Sequence, residues 1–431
     1  MEDNLNIYFK NINLISPEQK INKKVNLWVN DGIIKHCSNK EAEIDSKTKV
    51  IDAAKMVCSP GWLDMHVHLR EPGFEEREDV KSGCEAAANG GFSGIVCMPN
   101  TDPVIDNAPV VEYIKSKAVS LLTDVHICGS ITQNLDGKHI SPMLELIDHG
   151  VVMFSDDGKS VIESSVMKLA FEYAATKDLI IAQHCEDHTL TQNFAMNEGF
   201  VSIKLGLKGY PNIAEDMIVA RDLMLADYLG NRRYHVCHVS TIGAVRLIRE
   251  AKERGLRISC EVTPHHFSLD EENIKKYNTD YKMNPPLRTN QDIQALIEGL
   301  IDGTIDCIAS DHAPHTLYDK EVEFEKAPNG IVGLETSLGV TLTKLYHTGY
   351  LTIEKIIEKC AVNPRKILKL PQILVKEGEK ANLTIFAPDE EWVVDKKKFK
   401  SKSKNTPFDG FELKGKPKYT INNGKIYQSA L

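Results

Sequence analysis

The chain has 431 residues, 42% hydrophobic, 26% charged and 7% aromatic, with 52 Lys and Arg against 61 Asp and Glu for a formal net charge of −9. That profile excludes collagen-like, fibrous and disordered classes, and the mildly acidic balance argues against a nucleic-acid binder. The length accommodates one large barrel plus a smaller module.

The first ten residues, MEDNLNIYFK, are polar and partly acidic, which reads as no signal peptide. No run approaches the ~18 apolar residues of a membrane span, so a cytoplasmic protein is expected. Residues 1–59 read as short strands. Val25, Leu27 and Val29 alternate with polar residues, and Asp31-Gly32 makes a hairpin turn before Ile33-Ile34. Residues 370–431 have the same texture, with strands at 381–386, 411–413, 419–421 and 426–427, the last two around Asn423-Gly424. Both termini are expected to share one small β-sandwich domain.

Residues 60–369 differ. Short apolar or β-branched runs stop at polar clusters at 61–66, 94–98, 124–128, 151–154, 179–182, 234–237, 257–260 and 305–308. Helical spacing separates most of them, as at 164–176 and 242–253. Eight strand–helix units predict an α/β fold, a (β/α)8 TIM-type barrel with its active site at the C-terminal strand ends. An open doubly wound sheet competes, but no glycine-rich phosphate fingerprint follows the early strands. The ten cysteines form no C-x-x-C pair and sit mostly inside apolar runs, as small buried hydrophobes of a reducing compartment do.

The strand ends carry the chemistry. The first run ends in His66-Val67-His68, the fourth in Asp156-Asp157, the fifth in His184, the sixth in His238 and the eighth in Asp311. Singly, each has an ordinary structural explanation, Asp311 as a helix cap for instance. Together, on one barrel mouth, they form a donor set for zinc or a similar divalent metal. Six donors exceed the three of a usual catalytic zinc, so two metals joined by a bridging group fit better. The fourth run holds no lysine, which favours an aspartate bridge. Asp156 and Asp157 face opposite ways, so only one can serve.

Other signals are weaker. The six lysines within 396–404 read as a solvated face. His265 and His266 read as structural, Cys185 as core, and the polar segment 316–328 as a mobile lid or an exposed loop.

In order along the chain stand PGWLDMHVHLREPG at 60–73, MPNTDP at 98–103, SDDG at 155–158, HCED at 184–187, HVST at 238–241, EVTPHH at 261–266, KMNPPLR at 282–288, SDHAPH at 310–315, GLET at 333–336 and SKNTPF at 403–408. This series resembles the amidohydrolase superfamily, and within it the long bacterial, type I, dihydroorotases. The resemblance implies two zinc ions per subunit. His66, His68 and Asp311 would hold one, His184 and His238 the other, with Asp157 bridging and Asp311 as the catalytic base. Arg70, Asn100 and His315 would receive the substrate carboxylate, Asn284 the ring amide edge, and Asn329 and Gly330 the ring, with His68 also close to the substrate. The implied reaction interconverts N-carbamoyl-L-aspartate and L-dihydroorotate in pyrimidine synthesis. A homodimer is implied, with an aspartate transcarbamoylase as a candidate partner. Competing readings are another cyclic amidohydrolase (dihydropyrimidinase, hydantoinase or allantoinase) and an inactive barrel acting as a scaffold for that transcarbamoylase.

Overall fold

The computed structural model describes residues 5–431; the first four residues of the stretch read as lacking a leader lie outside the described residues. The strands are β1 (Asn6–Ser16), β2 (Ile21–Asn30), β3 (Ile33–Ser38), β4 (Lys49–Asp52), β5 (Val57–Pro60), β6 (Trp62–Val67), β7 (Phe92–Cys97), β8 (Asp124–Gly129), β9 (Val151–Phe154) and β10 (Ile181–Gln183). After the short β11 (Met196–Asn197) and β12 (Gly209–Tyr210) come β13 (Tyr234–Val236), β14 (Ile258–Val262), β15 (Cys307–Ile308), β16 (Leu383–Val393), β17 (Glu412–Asn422) and β18 (Lys425–Gln428).

All eight apolar runs of the middle region become parallel strands, ordered β15-β14-β13-β10-β9-β8-β7-β6. The circle closes where the chain beyond β15 returns to β6: the His68 N–H donates to the His312 carbonyl at 2.9 Å. This is the TIM-type barrel. Its crossover helices include Ser164–Ala175 and Ile242–Glu253, the latter capped by the Thr241 hydroxyl, which accepts from the Ala244 N–H. Met65, Cys128, Ala182 and Cys307 come from four strands yet share one buried cluster. Only the barrel interior can bring them together. All ten cysteines are free and nine are buried.

The termini form one further eight-stranded sheet, ordered β18-β17-β16-β5-β1-β2-β3 with β4 beside β1. Both expected hairpin turns form. Asp31 and Gly32 have φ of 51° and 72°, and Asn423 and Gly424 have 50° and 71°, the signs that a type I′ turn requires. The sheet folds over on itself: Phe9 of β1 meets Tyr419 of β17 edge-on at 5.5 Å, although two strands lie between them in the sheet. Edge strand β3 also bonds to the segment leading into β16, with the Ile34 N–H donating to the Glu379 carbonyl at 2.9 Å. One expectation changes here. The segments 411–413 and 419–421 belong to the single strand β17, which runs through Gly415 and Pro417. Pro417 sits where the β16–β17 register shifts, so its missing N–H interrupts no regular ladder. Among the described residues, no helix is long and apolar enough to cross a membrane.

Candidate active site

The strand ends converge as a barrel requires. His66 lies on β6 with His68 just beyond it. Asp157, His184, His238 and Asp311 follow β9, β10, β13 and β15. Arg70, His238 and Asp311 have φ of 64°, 28° and 47°, left-handed backbone that non-glycine residues adopt at a cost. These turns follow the ends of strands, where the backbone aims side chains at the mouth.

Asp157 stands at the centre. Its Oδ2 lies 3.2 Å from His66 Nε2 and 3.4 Å from His68 Nε2, while its Oδ1 lies 3.3 Å from His238 Nε2 and 3.8 Å from His184 Nδ1. Asp311 Oδ1 is 3.1 Å from His68 Nε2 and 3.6 Å from His66 Nε2. One carboxylate thus presents one oxygen to each of two histidine pairs. The donor atoms of His66, His68 and Asp157 lie within 4.8 Å of one another, as do those of Asp157, His184 and His238. Each trio can hold a metal ion.

The surroundings fit that use. His66 Nε2, which faces Asp157, is buried without a hydrogen-bond partner among the described residues. A nitrogen left bare in this way is expected where an ion supplies the missing contact. Other ring nitrogens are spoken for. His66 Nδ1 is 2.6 Å from Glu261 Oε1, His68 Nδ1 is 2.8 Å from Asn100 Oδ1, and His184 Nε2 is 2.9 Å from Glu186 Oε2. Such outer partners fix which ring nitrogen faces a metal. Burial disfavours charge at Asp157, but His66 and His238 outweigh it and hold its carboxyl well below the usual range. Asp311 is likewise held low by His68 and His66 against burial. Burial opposes charge on Glu261 too, yet His66 and His235 bring it down to about 2. Glu261→Gln should weaken metal binding by ~10–100-fold, read by competition with a chromogenic chelator. Unchanged retention would show that Glu261 does not orient His66.

Above the cluster is a cavity of about 260 Å³ lined by His68, Arg70, Asn100, Asp157, His184, His238, Asn284, Asp311, His315, Asn329 and Gly330 among others. Every metal- or substrate-site residue that the resemblance implies lines it except His66, which is fully buried. Arg70 Nε donates to the Pro314 carbonyl at 3.2 Å, which anchors the guanidinium at the wall. Burial lowers its pKa to about 10, so it stays charged at neutral pH. His315 Nε2 donates to the Asn329 carbonyl at 2.8 Å, and burial next to Arg70 pushes its pKa down to about 2. His315 is therefore neutral, and Arg70 supplies the positive charge on this wall. The Gly330 N–H donates to the Lys282 carbonyl at 3.0 Å, which holds this edge of the cavity in place. A Cβ on Gly330, whose φ is +130°, would approach Ala313 Cβ to 2.7 Å and His315 Nε2 to 3.2 Å.

A family model described as "Dihydro-orotase-like" matches residues 55–243. The chain is 46% identical over 424 residues to a protein named dihydroorotase from Syntrophus aciditrophicus, covering 98% of this chain and 99% of that one. It is 47% identical over 414 residues to another of that name from Acetivibrio thermocellus, covering 96% of each. The chain belongs to the dihydroorotase family. Among solved structures, the L-hydantoinase (dihydropyrimidinase) from Arthrobacter aurescens superposes with a TM-score of 0.86 at 27% identity, covering 98% of this chain and 96% of that one. The dihydropyrimidinase from Brevibacillus agri has a TM-score of 0.85 at 18% identity over 99% of this chain and 95% of that one, a likeness of fold.

Against that family background the remaining residues sort by geometry. Asp156 points away from the histidines and accepts from the Ile131 and Thr132 N–H groups at 2.8 and 2.9 Å. Lys159 Nζ donates to the Leu135 carbonyl at 3.3 Å. His266 bonds Thr263 and the Pro285 carbonyl, a structural role, and Cys185 is buried beside Tyr234. His265 is buried, which lowers its pKa to about 4. Two lysines of the run form ion pairs, Lys402 with Asp79 and Lys396 with Asp409. Its neighbour Asn405 accepts from the His315 N–H at 3.1 Å and donates to the Gly330 carbonyl at 3.0 Å, bracing the cavity from behind.

The segment 316–328 is strapped down. Lys320 is buried, with Nζ donating to the carbonyls of Thr279 and Pro328 at 3.0 and 2.9 Å, and Lys282 Nζ donates to those of Glu325 and Ala327 at 2.8 and 2.7 Å. Two residues that sequence reasoning left without a role are Glu186 and Glu261. Both sit inside the quoted signatures, but their contacts cross the barrel.

Proposed function

We propose that the chain is an active dihydroorotase with two zinc ions per subunit, held by His66, His68 and Asp311 on one side and His184 and His238 on the other, with Asp157 between. The observation that carries this is the division of the two Asp157 oxygens between the two histidine pairs. The complete donor set disfavours the inactive scaffold.

When bound, the ions would acidify a water and polarise the ring carbonyl of dihydroorotate. The chain's own residues do the rest. Arg70 matches the substrate carboxylate with its planar fork. Asn100, whose Oδ1 is taken by His68, offers its N–H donors to the same group. Asp311, ionised beside His68, takes the proton of the attacking water and passes it to the leaving ring nitrogen as the C–N bond breaks. The product is N-carbamoyl-L-aspartate. The reverse sequence closes the ring, the direction that pyrimidine synthesis uses. The same reading places the enzyme in the cytoplasm as a homodimer, a stoichiometry that light scattering reads directly.

The test is hydrolysis of dihydroorotate against neutral hydantoin by wild type and Arg70→Ala. Losing charged hydrogen bonds costs about 1.5–3 kcal/mol, so KM for dihydroorotate should rise roughly 10–150-fold. Hydantoin turnover should change little. Wild-type activity on hydantoin alone would sink the reading.

A further inference from the structure

Three asparagines line the cavity, and the hydrogen bonds of two of them, Asn100 and Asn284, give those two opposite polarity. Asn100 Oδ1 is taken by His68 Nδ1 at 2.8 Å, which leaves the Asn100 amide donors free to face a ligand. Asn284 is the reverse: its Nδ2 donates to Glu186 Oε2 at 2.8 Å, and its Oδ1 is buried without a partner among the described residues. This orientation follows from chemistry. A flipped amide would set oxygen against carboxylate oxygen at the same distance, with no proton between them.

Glu186 has no freedom to adjust. It is 2% exposed. Oε2 also takes His184 Nε2 at 2.9 Å, while Oε1 takes the Thr191 hydroxyl and lies 3.3 Å from His188 Nδ1. One oxygen therefore serves both His184 and Asn284, joining the end of β10 to the segment that carries Asn284.

We propose that Glu186 is a positioning residue that fixes Asn284 as a hydrogen-bond acceptor, so that the site selects a ligand with an N–H donor on its ring edge. This rests on the dihydroorotase reading, in which that donor belongs to the urea edge of the dihydropyrimidine ring. A buried acceptor left unpaired is costly, so a ring methylated at the contacted nitrogen is rejected by clash and by the missing bond. The anionic end meets donors at Arg70 and Asn100, and the ring edge meets an acceptor at Asn284.

The experiment compares wild type, Glu186→Gln, Glu186→Asp and Asn284→Ala. Metal per subunit is measured by mass spectrometry, and kcat and KM are measured separately for dihydroorotate and its 1-methyl and 3-methyl derivatives. Wild type should reject one methyl derivative by roughly 10²-fold or more in kcat/KM. In Glu186→Gln, reloaded with metal, that rejection should shrink about tenfold, with KM for dihydroorotate rising more than kcat falls. Glu186→Asp should recover part of it. Asn284→Ala should lose the rejection with its metal content intact, which separates the effect from His184 and from misfolding. If both variants reject the methyl derivatives as wild type does, or if Glu186→Gln changes metal content alone, the proposal fails. Should wild type hydrolyse hydantoin and not dihydroorotate, the functional reading fails, and the same comparison on N-methyl hydantoins still reads Asn284.

Discussion

Asp311→Asn should lower kcat for dihydroorotate by ~10²–10⁴-fold, the range for removing a general base. Asparagine keeps the shape of the side chain and one carbonyl oxygen, so the contact with His68 at 3.1 Å can survive. What disappears is the site that carries a proton between water and leaving nitrogen. The carboxylate suits that task because the imidazoles of His68 and His66 hold it ionised despite burial. KM should move far less than kcat, since on the proposed reading Arg70 and Asn100, not Asp311, carry the anionic end of the substrate. Metal analysis of the same sample completes the test. A fall in kcat at full metal content identifies the proton carrier. A fall that tracks metal loss would reduce Asp311 to a ligand, and wild-type kcat at full loading would remove it from the mechanism.

The barrel was legible because each strand is a short apolar run that stops at a polar donor, and this architecture gathers such ends at one mouth. His66, His68, His184, His238 and Asp311 could be found that way. Alternation limited the bridge to Asp156 or Asp157, the resemblance chose Asp157, and in the fold Asp157 is the one that faces the histidines. Glu261 was illegible for a different reason: it meets His66 across 195 positions of sequence, and a glutamate inside a strand has no local signature of that contact. Glu186 lies two residues from His184, but its link to Asn284 spans 98 positions. The polar segment 316–328 read as a mobile lid or an exposed loop, and nothing local announces that carbonyls from distant turns enclose Lys320 Nζ and pin it. The strands read separately at 411–413 and 419–421 are one, because pairing with β16 carries β17 through Gly415 and Pro417.

Asp157→Ala should cost the most, because one side chain serves both metal trios. The bound water would lose the field that brings its pKa from ~15.7 to about 7, and activity should fall to background. If two zinc ions are bound as proposed, zinc per subunit should fall from two to one or none, and added zinc should not restore turnover. Two neighbours make the comparison decisive. Lys159→Ala should keep full metal and activity, since Lys159 reaches the Leu135 carbonyl instead; loss of metal there would mean that a lysine derivative forms the bridge. Asp156→Ala should leave metal stoichiometry alone and lower thermal stability, because it strips a buried acceptor from the Ile131 and Thr132 N–H groups at about 1–3 kcal/mol. Adjacent carboxylates just past the end of β9 would then fail in different ways, one through the metals and one through the fold. That is the outcome expected from the opposite directions in which they point. Equal loss of metal in both variants would contradict it.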